Sequence, residues 1–390
     1  MFGFAALKPG TYDLGLAYLG GAEAWRSGHP ENVFTWVSTP FLAMLMALAT
    51  RVAGADALAF AYNLFDTALA LGALAVTGAV LRGRLAPWLW WATLFAAALF
   101  GPLSSTLWWK QLNLVVLVLA AAGFALLRRG RGGDLAGAGL IALSLSVKPL
   151  LVLLPVALLV RAETRRAGVY AIGWTVALEV VAQVFLAWRA DNLATLSPLP
   201  ALANFAAKSL PAADGWACNV QNFSPTSMLC RLADGPVLWN LQRATVLALV
   251  AVLGWLLLRA LSDHDSRSWE LFAGAALLSP MLSPLAWSHY QLLLAPMFLV
   301  LVATIPRDAA SRPLWLLVGA AFVLSEISWT PIGTIADLAR AGWLAPAGSR
   351  GYGILLTTAS FAQYFLLAAA IRFLGRARPR SPLPLSGRPG

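Results

Sequence analysis

The sequence predicts an all-α fold, a polytopic bundle of about 10–12 membrane helices, some of them short or re-entrant. Three observations predict it. First, 59% of the 390 residues are hydrophobic and only 12% are charged, with a mean hydropathy of +0.73. No soluble core of this size hides that much apolar surface. Second, the apolar runs are rich in Leu, Ala and Val and end in Arg, Trp or Pro, where a soluble protein would alternate with charged helix faces. Third, the alternating segments of about ten residues that a membrane barrel requires are missing from the pattern.

The net charge of +11 does not indicate nucleic acid, because the arginines sit in short clusters between apolar runs, where the positive-inside rule places them. Two cysteines, Cys218 and Cys230, share one long polar segment without a CxxC or His/Cys cluster. In an oxidising compartment they are disulfide candidates, and two free thiols are the alternative.

The elements follow in order. MFGFAALKPG is too short and too weakly apolar for a signal peptide or a span. The polar stretch Thr11–Pro40 follows: a carboxylate at Asp13, a segment bearing Tyr18 and Trp25, a Gly-His-Pro turn, and an aromatic-to-proline run. It reads as an active-site loop on a membrane surface. Spans are predicted at 38–53, 57–81, 86–101, 111–128, 135–160, 168–187, 236–259, 269–285, 290–306, 314–329 and 352–374. The basic clusters Arg128–Arg131, Arg161–Arg166, Arg259–Arg267, Arg307–Arg312 and Arg372–Arg380 are assigned to the cytoplasm. That leaves the long loop 188–235, the turn Ser283–Tyr290 and the segment 330–351 on the opposite face. Two places resist this alternation. Residues 135–160 lie between two cytoplasmic clusters with Lys148-Pro149 in the middle, which predicts a re-entrant hairpin broken at the proline. Arg51 and the pair Arg82/Arg84 cannot share a face if two full spans precede the latter. Residues 1–375 thus form one transmembrane domain, and the basic, Pro-rich tail 376–390 is expected to be disordered.

Ionisable groups inside apolar spans are costly, and each is a candidate for function. Lys148 leads, since a cation at a helix break beside freed backbone N–H groups suits a phosphate. Asp66, Glu179, Glu270 and Glu326 read as structural. The turn 278–296 carries His289 between Trp287 and Tyr290, where an imidazole serves as phosphate donor or acid/base. Lys110, Gln111 and Asn113 stand where a helix starts. In the long loop Asn222, Ser224 and Arg231 form a short polar motif, and the arginine fork suits an anion.

Together these motifs resemble the membrane glycosyltransferases of the GT-C superfamily, and within it family 87 (GT87), whose members use polyprenyl-phosphate sugars as mannosyl or arabinofuranosyl donors. Asp13, Tyr18, Ala22, Gly28 and Phe34–Pro40 follow the family's first motif, with Trp36-Val37-Ser38-Thr39-Pro40 replacing Tyr-Pro-Pro. Trp109-Lys110-Gln111-Leu112-Asn113 matches Trp-Gly-Gln-x-Asn, with lysine where the family has glycine. Lys148-Pro149 matches a Lys-Pro within an apolar helix pair. Asn222-Phe223-Ser224 followed by Arg231 resembles Asn-Gln-Ser and arginine, and Ser283–His289 resembles Ser-Pro-x-x-Trp-x-His. The resemblance runs from Thr11 to Ala295. It also implies a helix ahead of the aspartate loop, for which the first ten residues leave no room.

The resemblance implies an enzyme of the bacterial plasma membrane that moves a sugar to a glycan or glycolipid acceptor on the periplasmic or exterior face. Asp13 would be the general base, with Glu23 and Glu31 as fallbacks. Lys148, His289, Arg231 and Lys110 would hold the leaving phosphate. Tyr18, Trp36, Gln111, Asn113, Asn222, Ser224 and Trp287 would bind the substrates, with Trp25 also beside the sugar. No DxD pair stands in the first loop, so neither metal nor cofactor is expected. A lipid-linked saccharide flippase or other transporter, or a noncatalytic partner in envelope assembly, is the alternative. The lack of an internal repeat weighs against a transporter.

Overall fold

The computed structural model describes residues 14–29, 39–192, 196–197, 199, 203, 222, 224, 236–260, 268–283, 286–327 and 360–374. Asp13, Trp36, Glu31, Arg231, both cysteines and the tail 376–390 lie outside them. Among the described residues the secondary structure is helical, apart from one antiparallel β-bridge between Asn222 and Trp287.

The bundle is built inside out relative to a soluble protein. The long helix α3 (Ala55–Leu81, following α1, Gly20–Arg26, and α2, Pro40–Ala49) buries Ala59, Asn63, Asp66 and Ala70 and exposes Phe60, Leu64, Leu71 and Val76. Small and polar groups thus face neighbouring helices while large apolar ones face outward, as lipid requires. The helix α9 (Arg165–Ala190) repeats the pattern, with Ala167, Ala171 and Ala182 inward and Val169, Val176 and Val180 outward. Between them run α4 (Pro87–Leu99), α5 (Gly101–Trp109), α6 (Asn113–Leu127), α7 (Asp134–Val147) and α8 (Leu153–Val160). After them come α10 (Pro236–Ala260), α11 (Trp269–Leu282), α12 (Ala295–Thr304), α13 (Arg312–Ile327) and α14 (Phe361–Leu374).

Among the described residues, α3 and α9 are long and apolar enough to cross a membrane alone. The stretch Pro87–Trp109 with Asn113–Leu127, bent by 113°, would make a third span. The span expected at 38–53 is instead the ten-residue α2, about 15 Å long at 1.5 Å per residue and so too short to cross. Thr39 begins it, its hydroxyl accepting from Leu42 N at 3.1 Å, with Pro40 at the first helical position. One long helix therefore separates Arg51 from Arg82 and Arg84. Its 27 residues measure about 40 Å, which places Arg51 and the Arg82/Arg84 pair at opposite ends, so the two do not share a face.

The break expected at Lys148-Pro149 is present. Proline disfavours helical dihedrals in the residue before it, and Lys148 is extended (φ −160°, ψ 121°) between Val147, the end of α7, and a 3-10 turn at Pro149–Leu151. The first piece packs chiefly on α6 and next on α9, the second chiefly on α9. Antiparallel α6 and α7 cross tightly where Gly123 and Gly137 meet. A Cβ on either would lie 2.6 Å from the other's carbonyl oxygen, so only glycine fits.

Candidate functional site

The site forms where two helix breaks meet. At the first, α5 ends in Lys110, which takes left-handed dihedrals (φ 54°, ψ 48°), and α6 starts at Asn113. That conformation disfavours every side chain that carries a Cβ. It also turns Gln111 and Asn113 toward the second break, at Lys148. The Lys148 Nζ donates to Gln111 Oε1 at 2.7 Å and Asn113 Oδ1 at 2.8 Å, and lies 4.5 Å from the centroid of the Tyr290 ring. The lysine is 1% exposed. Two amide oxygens and an aromatic face thus solvate an ammonium that water does not reach.

The third contributor is the turn after α11, where Ser288–Leu294 form a 3-10 helix. Asn113 Nδ2 donates to the His289 carbonyl at 2.9 Å, so one asparagine joins Lys148 to the histidine turn. The His289 ring is buried edge-on to Tyr290, centroids 5.0 Å apart, and its Nε2 meets no hydrogen-bond partner among the described residues. Asn222 holds the start of this turn: its Oδ1 accepts from Ala286 N at 2.8 Å and Ser224 N at 3.0 Å. Both Asn222 and Ser224 are fully buried. The long loop therefore reaches the site through Asn222, which shapes the turn carrying Trp287 and His289.

The polar N-terminal stretch is less of a loop than its sequence suggests. Leu14–Leu19 form a π-helical turn that runs into α1. Tyr18 is fully buried and donates to Gln111 Oε1 at 2.7 Å, the same oxygen that receives Lys148. Trp25 is buried elsewhere, among Ala22, Ala43 and Leu186 between α1, α2 and α9, so its place is in a hydrophobic core rather than beside a sugar. Glu23 is exposed and held by Arg26, whose Nε donates to it at 2.7 Å. That pairing keeps the Glu23 carboxyl below its ordinary range, the wrong direction for a general base.

The profile of glycosyltransferase family 87 matches residues 36–284, well over half of the chain. The chain belongs to glycosyltransferase family 87. No curated protein and no solved structure matches it. Of the clustered residues, Lys110, Gln111, Asn113, Lys148, Asn222 and Ser224 fall inside the matched region, whereas Tyr18, Trp287 and His289 lie beyond its ends. Geometry alone joins those three to the rest. With its inside-out helices, this family 87 chain is a membrane glycosyltransferase.

The carboxylates inside its helices divide by role. Glu326 on α13 accepts from Gly101 N at 2.9 Å and 3.1 Å, capping the N-terminus of α5, the helix that ends in Lys110. Glu179 on α9 accepts from Phe41 N at 3.1 Å in the first turn of α2. Beside it, the Thr39 hydroxyl donates to the Ser146 carbonyl two residues before Lys148. Each thus puts negative charge at a helix start, where the dipole favours it. Glu270 stands in the first turn of α11 for the same reason. Of these four, Asp66 differs, with both carboxylate oxygens buried and neither hydrogen-bonded among the described residues.

Sequence reasoning passed over Tyr62, whose hydroxyl donates to the Gln111 carbonyl at 2.7 Å. The signal lay in its spacing. Tyr62 and Asp66 are four residues apart in an apolar helix and so share one face.

Proposed function

We propose that this chain transfers mannose or arabinofuranose from a polyprenyl-phosphate donor to a glycan or glycolipid acceptor, on the extracytoplasmic face of a bacterial plasma membrane. The observation that carries the reading is the buried Lys148 ammonium, set by three separate chain segments beside a histidine Nε2 that lacks a partner. A donor phosphate, a negative charge with several acceptor oxygens, suits both an ammonium and an imidazole nitrogen in an apolar interior.

The chemistry fits that arrangement. The donor is a phosphodiester with one negative charge, and it leaves as a monoester that has gained a second as the sugar–oxygen bond breaks. A fixed cation therefore stabilises the transition state more than the bound donor, which is the condition for catalysis. Lys148 and His289 face the leaving phosphate in this scheme, with Lys110 and Arg231 adding positive charge. Asp13 takes the proton from the acceptor hydroxyl as its oxygen attacks the anomeric carbon. It lies one residue ahead of the segment that brings Tyr18 to Gln111. Trp36, Trp287, Asn222 and Ser224 shape the substrate side, and the scheme calls for neither metal nor cofactor.

The test is sugar transfer from radiolabelled polyprenyl-phosphate mannose and arabinofuranose by purified wild type and Asp13→Asn. Loss of turnover of 100-fold or more, with donor binding kept, is the expected result on general-base catalysis worth about 10²–10⁴. Near-wild-type turnover removes Asp13 from that role. Lys148→Met is expected to weaken donor binding about 10- to 100-fold, the range of a charge-assisted hydrogen bond. Unchanged affinity would count against a phosphate at Lys148.

A further inference from the structure

We infer that Asp66 is a sugar-recognition residue, a buried carboxylate that accepts hydroxyl groups of the transferred sugar while Lys148 holds the phosphate. The inference rests on the glycosyltransferase reading above and assigns that site its sugar-facing side.

Asp66 is 1% exposed, and neither of its oxygens has a hydrogen-bond partner. Burying a carboxylate without partners in an apolar bundle costs several kcal/mol. Glu179 and Glu326 meet that cost by capping helices; Asp66 does not. Its position is not remote. On α3 the buried face runs Ala59, Asn63, Asp66, Ala70, turned toward the site. The helix packs on α4, α5, α6 and the π-helical turn that carries Tyr18. Asp66 therefore lies on a buried face of the helix that meets both α5 and α6, the two helices joined at Lys110–Asn113. One turn before it, Tyr62 donates to the Gln111 carbonyl, while the Gln111 side chain receives Lys148 and Tyr18. One glutamine thus links a cation, through its side chain, to the α3 face that carries an acidic group, through its carbonyl.

That polarity matches a sugar phosphate. The phosphate is all acceptor and requires donors, which Lys148 and His289 provide. A sugar presents vicinal hydroxyls, and the two open oxygens of a carboxylate take two O–H donors at once. Lys148 and Asp66 are both buried, so a donor that engages either one enters the bundle. Filling both oxygens also restores the hydrogen bonds that burial removed, so recognition is strongest for a sugar with a matching pair of hydroxyls.

The experiment compares binding of polyprenyl-phosphate mannose, polyprenyl-phosphate arabinofuranose and sugar-free polyprenyl phosphate to wild type, Asp66→Leu, Asp66→Asn and Lys148→Met in detergent. Thermal unfolding is followed in parallel. Asp66→Leu is expected to be at least as stable as wild type, to bind the preferred sugar-bearing ligand at least tenfold more weakly, and to bind polyprenyl phosphate unchanged. Asp66→Asn, with one acceptor oxygen left, falls between. Lys148→Met weakens all three ligands. A leucine variant that keeps wild-type affinity and sugar preference overturns the inference and leaves the glycosyltransferase reading standing. Wild-type protein that binds none of the three overturns both. Should Asp66→Leu fail to fold, the same comparison on Asp66→Asn decides, since unchanged sugar preference there overturns the inference.

Discussion

Lys110 carries two costs at once. Its left-handed backbone disfavours an L-residue by about 1–2 kcal/mol, and its side chain is buried, where an ammonium loses its hydration. Glycine would meet the same turn freely, which explains glycine at this position of the family motif. A residue that keeps both costs next to Gln111 and Lys148 is placed for its charge. Lys110→Gly is therefore expected to unfold in detergent at a temperature no lower than wild type while binding the donor several-fold more weakly. A variant less stable than wild type would instead assign the lysine a packing role. The residue scale also explains why Glu23 loses its place as a fallback base. Arg26 favours its ionised form, so the carboxylate stays charged to lower pH than a free glutamate and accepts a proton poorly.

At the scale of elements, short helices carry the site and long ones supply their caps. The nine residues of α5 and the ten of α2 are below the length at which an isolated helix is stable, about 12–15 residues. Glu326 and Glu179 donate negative charge from the longer α13 and α9 to their first turns. Replacing Glu326 with leucine leaves Gly101 N without this acceptor, and about 1–2 kcal/mol of stability is expected to go with it. Thermal unfolding checks the loss. A drop in donor affinity should accompany it, because α5 positions Lys110 and Gln111. The α6–α7 crossing sets the other half of the site by the same logic. Gly137→Leu would place side-chain atoms where the Gly123 carbonyl already stands, forcing the helices apart and moving Asn113 away from Lys148. Its activity should fall even where the variant still inserts in the membrane.

At the scale of the whole molecule, α3 decides how the N-terminal third is threaded. Its 27 residues exceed a hydrocarbon core of about 30 Å by roughly 10 Å, enough to carry Arg51 and Arg84 into opposite interfaces. In a background with Cys218 and Cys230 changed to alanine, Arg51→Cys and Arg84→Cys are expected to react with a membrane-impermeant thiol reagent from opposite sides. Labelling of both from one side would mean that α3 does not cross.

The sequence alone determined the all-α membrane class, since hydropathy and the arginine clusters are properties of composition and order. It determined the break at Lys148 too, because proline acts on its immediate neighbour, and it marked Lys110, Gln111, Asn113, Lys148, Asn222 and His289 as candidates for the site. What only the tertiary structure decided is which of these meet. Gln111 lies 93 residues from Tyr18 and 37 from Lys148, and no local rule of spacing encodes such contacts. Nor did pattern separate four intramembrane carboxylates that read alike. Glu179, Glu270 and Glu326 are set at helix starts, whereas Asp66 is left with two open oxygens, a difference fixed by which helix end packs against each side chain. Trp25 and Tyr18 likewise share one polar stretch, and the packing of α1 against α2 and α9 sends one into a hydrophobic core and the other to the lysine.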